Sequence, residues 1–558
     1  MKKRTLIYPI VAVLAGTAVA LTYFLHPISA PVSETNNLWF SKRTLPKNIA
    51  VNAYLAANVA RANQDLDKAV LAYADVLEKD PENTSLLEET YLLAMIQGQP
   101  EAVLPHLKHL KNNKMLADYT RSVSLFKDGK TSEAFTALKQ TPLKGGNALL
   151  LPLVRTWFYA NQNNLTEALR EVDTLTETPF IKGYQKVLLG TYFKDADLVQ
   201  TGITQIGDNS IPAIGYFPLL KKTITQTGNW EKSALYKKYQ ELSQTYPATA
   251  DLLIQVGQDK ITPEKGLAEA FYIVSALGGN GHFTREESMA ANTLALFLDP
   301  DKQISLIWGA ELAEGLHLPK VALSYYDRLP FHSATLDFKR AAALMLSDRT
   351  KEALPLLEKL EKTNKTSIPL LTLLGQAYQD QGQRNQALMV YNRLIPLLEA
   401  SPKNDPLIQA YLARGILYGT EESEKMLADL KRAHTLDPEN AMLLNDLGYH
   451  QLENNQIEEG FDFVQRAYQK RPNDPYILDS LAFGYFKKGQ HTVALPLAER
   501  ALNLMPQSAL INAHLGDIYE ALGRHREAGF QFKKALDLKT DLTEKLALDL
   551  TEKLKEQK

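Results

Sequence analysis

Three dipeptides ending in proline, Asp437-Pro438, Arg471-Pro472 and Met505-Pro506, stand 34 residues apart in this chain. Other positions keep the same interval. With repeats begun at Ala441, Pro475 and Ala509, the residues Leu447, Leu481 and Leu515 become equivalent, as do Gly448, Ala482 and Gly516 beside them. Gly460, Ala494 and Ala528 follow in register, then Ala467, Ala501 and Ala535. Small residues at two such sites let the two helices of a hairpin approach closely, and the large apolar residues three or four positions away fill the space between them. A proline after the second helix cannot continue it and sets the turn into the next unit. One hairpin cannot bury its apolar face alone, so the hairpins must stack. This also answers a problem of size, because 558 residues are too many for one compact core.

Thirty-four residues is the period of the tetratricopeptide repeat. The predicted fold is therefore all-α, a tetratricopeptide-type α-solenoid in which helical hairpins wind into a right-handed superhelix. The frame recurs upstream with looser spacing. Leu374-Gly375, Tyr378, Ala387 and Tyr391 make one unit, and residues 410–438 the next, after a longer link through Pro402 and Pro406. Trp308-Gly309-Ala310 with Ala322 and Tyr326 marks another, as does Ala341 with Ala353 and Leu357. Near the start, Ala69, Tyr73 and Pro81 follow a first helix over residues 53–60, and Glu133-Ala134 and Glu167-Ala168 open two further second helices. The expected organisation is a membrane anchor or signal segment at 1–25, a linker at 26–48, hairpins over 49–175, degenerate hairpins over 176–302, a regular array over 303–540 and a capping helix at 541–558. In the degenerate stretch Pro247 and Pro300 sit where repeat-ending prolines belong, and Gly278-Gly279-Asn280-Gly281 reads as a turn. The last segment places Leu542, Leu546, Leu550 and Leu554 on one helix face among charged neighbours, which suits it to cover the end of the last repeat.

The start of the chain has a different character. Lys2, Lys3 and Arg4 precede residues 5–25, which carry no charge. A helix of that length spans about 30 Å, the thickness of a bilayer core. The basic cluster before it puts the N-terminus in the cytoplasm and the remainder across the membrane. Expected is a single-pass inner-membrane helix with a periplasmic C-terminal domain; the alternative is a signal cleaved after Ile28-Ser29-Ala30, leaving a periplasmic protein.

Six short runs carry a resemblance. Leu444-Asn445-Asp446-Leu447-Gly448-Tyr449, then Pro475-Tyr476-Ile477-Leu478-Asp479-Ser480-Leu481-Ala482 and Ala513-His514-Leu515-Gly516-Asp517, are similar to a recurrent run in proteobacterial periplasmic tetratricopeptide-repeat proteins. Tyr54-Leu55-Ala56, Asp80-Pro81-Glu82-Asn83 and residues 151–157 resemble it in the form met in alphaproteobacteria. The family includes an outer-membrane lipoprotein that scaffolds a carboxyl-terminal processing protease acting on cell-wall hydrolases. What the resemblance implies is a protein-binding platform whose partner is a periplasmic protease or cell-wall enzyme. The chain departs from that relative in having no cysteine, and so no lipid attachment point.

Catalytic patterns are scarce. Absence of cysteine removes disulfides, thiolate zinc sites and cysteine nucleophiles together. Asp128-Gly129-Lys130-Thr131 ends like a phosphate-binding loop, but Ser124 stands where the earlier glycine belongs and no strand precedes it, so it reads as a turn between helices. His106 and His109, three apart on a predicted helix, have metal spacing but no third ligand. No catalytic residue, metal or cofactor is expected. A net charge of −2 offers no basic surface for nucleic acid.

The candidate working surface is the concave face, which first helices line chiefly through their positions 2, 5, 9 and 12. In the register above these are Tyr411 and Tyr418, Asn445 and Tyr449, and Tyr476, Asp479, Phe483 and Phe486. Aromatic rings give large contact area with little rotamer entropy to lose, and Asn and Asp hold peptide groups by hydrogen bonds. Asn445 matches a position that carboxylate-clamp repeats use, but the basic residues of a clamp are missing. The expected role is a non-enzymatic scaffold that holds a partner protein in this groove. A carrier for envelope polysaccharide export or cell-wall assembly is the alternative; such carriers more often end in an outer-membrane barrel.

Overall fold

The computed structural model describes residues 51–556, apart from most of 208–259 and short connecting stretches. Residues 1–25, the linker at 26–48, Pro247 and the Gly278–Gly281 turn lie outside the described residues. Among the described residues all regular structure is helical, and no helix is long and apolar enough to cross a membrane. They form two compact units, 51–360 and 361–556.

The first unit contains α1 (Val51–Ala62), α2 (Leu66–Lys79), α3 (Thr84–Gln97), α4 (Lys114–Lys127), α5 (Thr131–Ala137), α6 (Asn147–Asn161), α7 (Leu165–Asp173), α8 (Pro179–Phe193), α9 (Ala196–Gly207), α10 (Pro263–Leu277), α11 (Arg285–Leu298), α12 (Gln303–Gly315), α13 (Pro319–Asp327), α14 (Ala334–Leu346) and α15 (Thr350–Glu361). Sequential pairs make antiparallel hairpins. After α3 the second arm is a tight 3₁₀ segment, Leu104–His109. His106 and His109 therefore sit on a 3₁₀ turn rather than the predicted helix, because Pro100 and Pro105 remove donors an α-helix would need there. Gly129 adopts a left-handed turn between α4 and α5, which settles Asp128-Gly129-Lys130-Thr131 as a connection.

This unit folds back on itself. α10 and α11 are buried on nearly every side, as a helix without a polar face must be. α10 lies against α6, while α11 lies against α3 and α4, the first helices of three earlier hairpins. Specific contacts pin them. Tyr119 of α4 meets Phe271 edge-on at 5.9 Å. The Tyr184 hydroxyl of α8 donates to Glu269 Oε1 at 2.8 Å, and the same carboxylate pairs with Lys302. The Thr293 hydroxyl donates to the carbonyl of Met95, and Lys127 Nζ reaches the carbonyl of Phe297 at 2.8 Å. Gly266 faces the Trp157 indole so closely that no Cβ fits between them. The inner face that α3, α4, α6 and α8 present is thus occupied by the chain itself.

The second unit holds α16 (Ile368–Asp380), α17 (Arg384–Glu399), α18 (Asn404–Tyr418), α19 (Ser423–Leu436), α20 (Ala441–Glu453), α21 (Ile457–Lys470), α22 (Pro475–Lys487), α23 (His491–Leu504), α24 (Ala509–Ala521), α25 (His525–Leu538) and α26 (Glu544–Glu556). Hairpins stack in order, and the first helices α20, α22 and α24 also touch one another. Each repeat-ending proline is followed two residues later by the cap of the next first helix. Asn440 accepts from the amides of Met442 and Leu443, Asp474 from those of Tyr476 and Ile477, and Ser508 from that of Ile511. Pro81 and Asn83 repeat the arrangement at the start of α3. The last helix, α26, lays Leu546, Leu550 and Leu554 against the cluster that holds Phe532, with Leu550 fully buried, and Leu542 ahead of the helix packs there too.

Candidate functional site

The small residues fix the register of every first helix in the second unit. A Cβ on Gly448 would meet Gly460 O at 2.7 Å and one on Gly516 would meet the Phe532 ring at 2.4 Å, so both face their own second helix. Gly415 faces Asp429 and Met426 of α19 in the same way. Counted from these residues, Asn445 and Asp479 lie three positions before, His514 two before, and Tyr449, Phe483 and Asp517 one after. These form a row across α20, α22 and α24.

The row is a bonded network. His514, buried, sends Nδ1 to Asp479 Oδ2 at 2.8 Å. Its Nε2 lies 3.5 Å from the Tyr449 hydroxyl, which donates to Glu453 Oε1 at 3.2 Å. The Asp479 carboxylate accepts, so the proton of that bond sits on Nδ1 of His514. Burial alone would lower its pKa, but Asp479, with Asp517 and Glu453, holds it above the ordinary value. Burial also pushes the Tyr449 phenol well up, with Glu453 and Asp479 adding to it, and pushes Asp446 up to about 6, with the Asp474 charge adding to it.

Aromatic rings complete the surface. Phe483 stacks on His514 at 4.6 Å and lies 5.5 Å from Tyr449. Phe486 stacks on Phe483 at 6.3 Å and meets His491 of α23 at 5.3 Å. Lys487 Nζ sits 5.4 Å over the Phe483 ring and donates to Asn455 Oδ1. Tyr476 is half-buried at the start of α22, just inside the Asp474 cap. Two acceptors in the row, Asn445 Oδ1 and Asp479 Oδ1, are buried with no hydrogen-bond partner among the described residues.

Tyr411 and Tyr418 are not in this row. Tyr411 lies four residues before Gly415, the place of Leu444 and Leu478, and Tyr418 three after it, the place of Tyr485 and Tyr519. Such positions face neighbouring second helices. The longer link before α18 hides a shift of two residues in the frame. Both tyrosines line a separate depression of about 360 Å³ between α17, α18 and α19. Tyr411 donates to Glu399, and Arg414 grips both oxygens of Asp429 at 2.7 and 2.8 Å. Lys425 pairs with Glu422. With its charges already matched in pairs, that depression reads as packing between repeats. His514, by contrast, belongs to the row and was missed, because it stands one residue further round its helix than Asn445 and Asp479. Among the described residues no group of three or more His, Asp or Glu side chains could hold a metal ion.

The tetratricopeptide-repeat family model matches residues 509–542, which include α24 and α25. Residues 509–542 are a tetratricopeptide repeat. No curated protein matches the chain. Similar solved structures include a tetratricopeptide repeat protein from Parabacteroides merdae, 18% identical over 46% of this chain and 98% of that one, with a TM-score of 0.36. The Cut9–Hcn1 hetero-tetramer of the APC/C is 15% identical over 91% of this chain and 96% of that one, with a TM-score of 0.35. YrrB, described as a TPR protein with an unusual peptide-binding site, is 20% identical over 35% of this chain and 97% of that one, with a TM-score of 0.26. In the tetratricopeptide frame the Tyr449–His514–Asp479 network and Asn445 share one face of the first helices, and Tyr411 and Tyr418 do not.

Proposed function

We propose that the chain is a non-enzymatic scaffold that holds a segment of a partner protein in the groove formed by α20, α22 and α24. The observation that carries this reading is the row itself. Half-buried rings at Tyr449 and Phe483 stand beside two buried acceptors, Asn445 Oδ1 and Asp479 Oδ1, that none of the described residues satisfies. The corresponding face of α3, α4 and α6 is filled by α10 and α11, which leaves the second unit to do the binding.

The scaffold is placed by this proposal on the periplasmic side of a bacterial inner membrane. Lys2, Lys3 and Arg4 ahead of the uncharged residues 5–25 support that placement. The resemblance of residues 444–449 and 475–482 supports a protease or cell-wall enzyme as partner.

Crosslinking in intact envelopes, followed by capture of the full chain, tests the reading. One protease or wall hydrolase should be recovered, and it should be lost when Tyr449, Asp479 and Phe483 are changed to Ala. Binding of glycan with no protein partner would overturn the scaffold and favour the polysaccharide carrier. An N-terminal reporter with fractionation tests the placement; a mature chain starting near Pro31 would replace the anchor with a cleaved signal.

A further inference from the structure

Resting on the groove reading above, the chemistry of the row also selects the charge of the segment it holds. We propose that the groove recognises its partner through a basic side chain, arginine or lysine, laid against the Tyr449 and Phe483 rings among the carboxylates of Asp479, Glu453 and Asp517.

Three observations converge on a cation. The unsatisfied atoms of the row, Asn445 Oδ1 and Asp479 Oδ1, are both acceptors in buried side chains, so the missing partner must bring donors. Guanidinium and ammonium groups carry donors and no acceptors. Phe483 has Lys487 Nζ 5.4 Å from its ring centroid, and a ring face attracts a desolvated cation. Carboxylates outnumber cations along the row. Asp446, Glu453, Asp479 and Asp517 stand against His514 and Lys487, with Lys553 of α26 reaching Asp517 at 2.7 Å.

The opposite occupant is poorly served. An acidic side chain or terminal carboxylate needs cationic donors, and those present are engaged. His514 is bonded to Asp479 through Nδ1 and has Nε2 3.5 Å from the Tyr449 hydroxyl, Lys487 donates to Asn455, and Lys553 is shared between Asp517 and Asp549. A carboxylate here would also face Glu453 and Asp517 directly, which costs affinity.

The test uses the full chain and a displayed library of random peptides with blocked ends. Selected peptides should be rich in Arg and Lys. Replacing the basic residue of a selected peptide by Gln should weaken binding about tenfold or more, read by fluorescence anisotropy. Glu453→Gln and Asp517→Asn should each weaken the Arg peptide several-fold and leave its Gln version unchanged. Affinity should also fall with added salt. Glu453 is exposed, so its isosteric change leaves the fold intact, and circular dichroism of each variant checks this. Neutral or acidic peptides that bind, and are lost with Tyr449→Ala and Phe483→Ala, would overturn the basic anchor while leaving the groove standing. Binding indifferent to those two changes, or no selected peptide at all, would overturn the groove itself.

Discussion

Replacing Gly266 by Ala tests whether α10 is the centre of the first unit. On an exposed helix this change adds about 1 kcal/mol of stability, because Gly is the poorer helix former. Here a Cβ would stand 2.2, 2.2 and 2.3 Å from three carbons of the Trp157 indole. Carbon atoms rest at about 3.5–4.0 Å, so ring and helix must part by more than about 1 Å. Trp157 is fully buried, and its Nε1–H donates to Gln185 Oε1 at 2.9 Å. Overpacking costs about 1–3 kcal/mol, and leaving the Gln185 carbonyl unsatisfied costs about 1–3 kcal/mol more. Less the gain in helix propensity, the variant should lose about 3 kcal/mol. Urea unfolding of the full chain measures the loss. Hydrogen exchange should place it in α6 and α10 and leave α20–α25 unchanged. Trp157→Phe removes part of the obstructing ring, so the double variant should recover at least about 1 kcal/mol relative to additivity. A Gly266→Ala chain as stable as the parent, or more so, would refute the packing of α10 on α6.

Other outcomes follow from the second unit. His514 has a raised pKa in the fold, so the stability it contributes is full below about pH 6.5, its ordinary value, and is lost as pH rises through the folded value. Asp446, pushed up to about 6, has the same sign, but its contribution is lost lower, between about pH 4 and 6. Above about pH 6.5 the unfolding midpoint of this unit should therefore fall as His514 loses its proton, and Asp479→Asn should flatten that fall; a slope unchanged in that variant would contradict the assignment. Leu550→Ala removes a fully buried side chain that closes the last repeat, and should cost about 2–4 kcal/mol in a denaturant titration. Arg414→Leu strands the buried Asp429 carboxylate and should cost about 3–5 kcal/mol.

What could be read from the residues follows the range of the interactions. The 34-residue spacing and its small residues reflect contacts inside one hairpin, and the structure places Gly448 against Gly460 and Gly516 against Phe532 as that reasoning requires. Asn445, Tyr449, Asp479 and Phe483 come together because a regular frame carries a register from one repeat to the next. Tyr411 and Tyr418 fall elsewhere because the link before α18 breaks the frame, and only the contact of Gly415 with α19 restores it. The role of His514 was not legible, since its charge depends on partners 35 and 65 residues away. The apolar run of α10 could be recognised as a helix without a polar face, but not the surface that buries it. Its neighbours Tyr119 and Trp157 stand more than 100 residues earlier.

That return of the chain onto itself bears on how the protein is made. A stacked array folds from any point and spreads, each hairpin needing only its neighbour. In the first unit the carbonyl of Met95 waits for Thr293, 198 residues later in the sequence, and α3 stays partly uncovered until α11 has emerged. Closure over such a span is slow and joins early hairpins to late ones in a single cooperative step. Trimming the second unit from its end should cost stability one repeat at a time, whereas a cut anywhere within residues 51–298 should leave its pieces without a core.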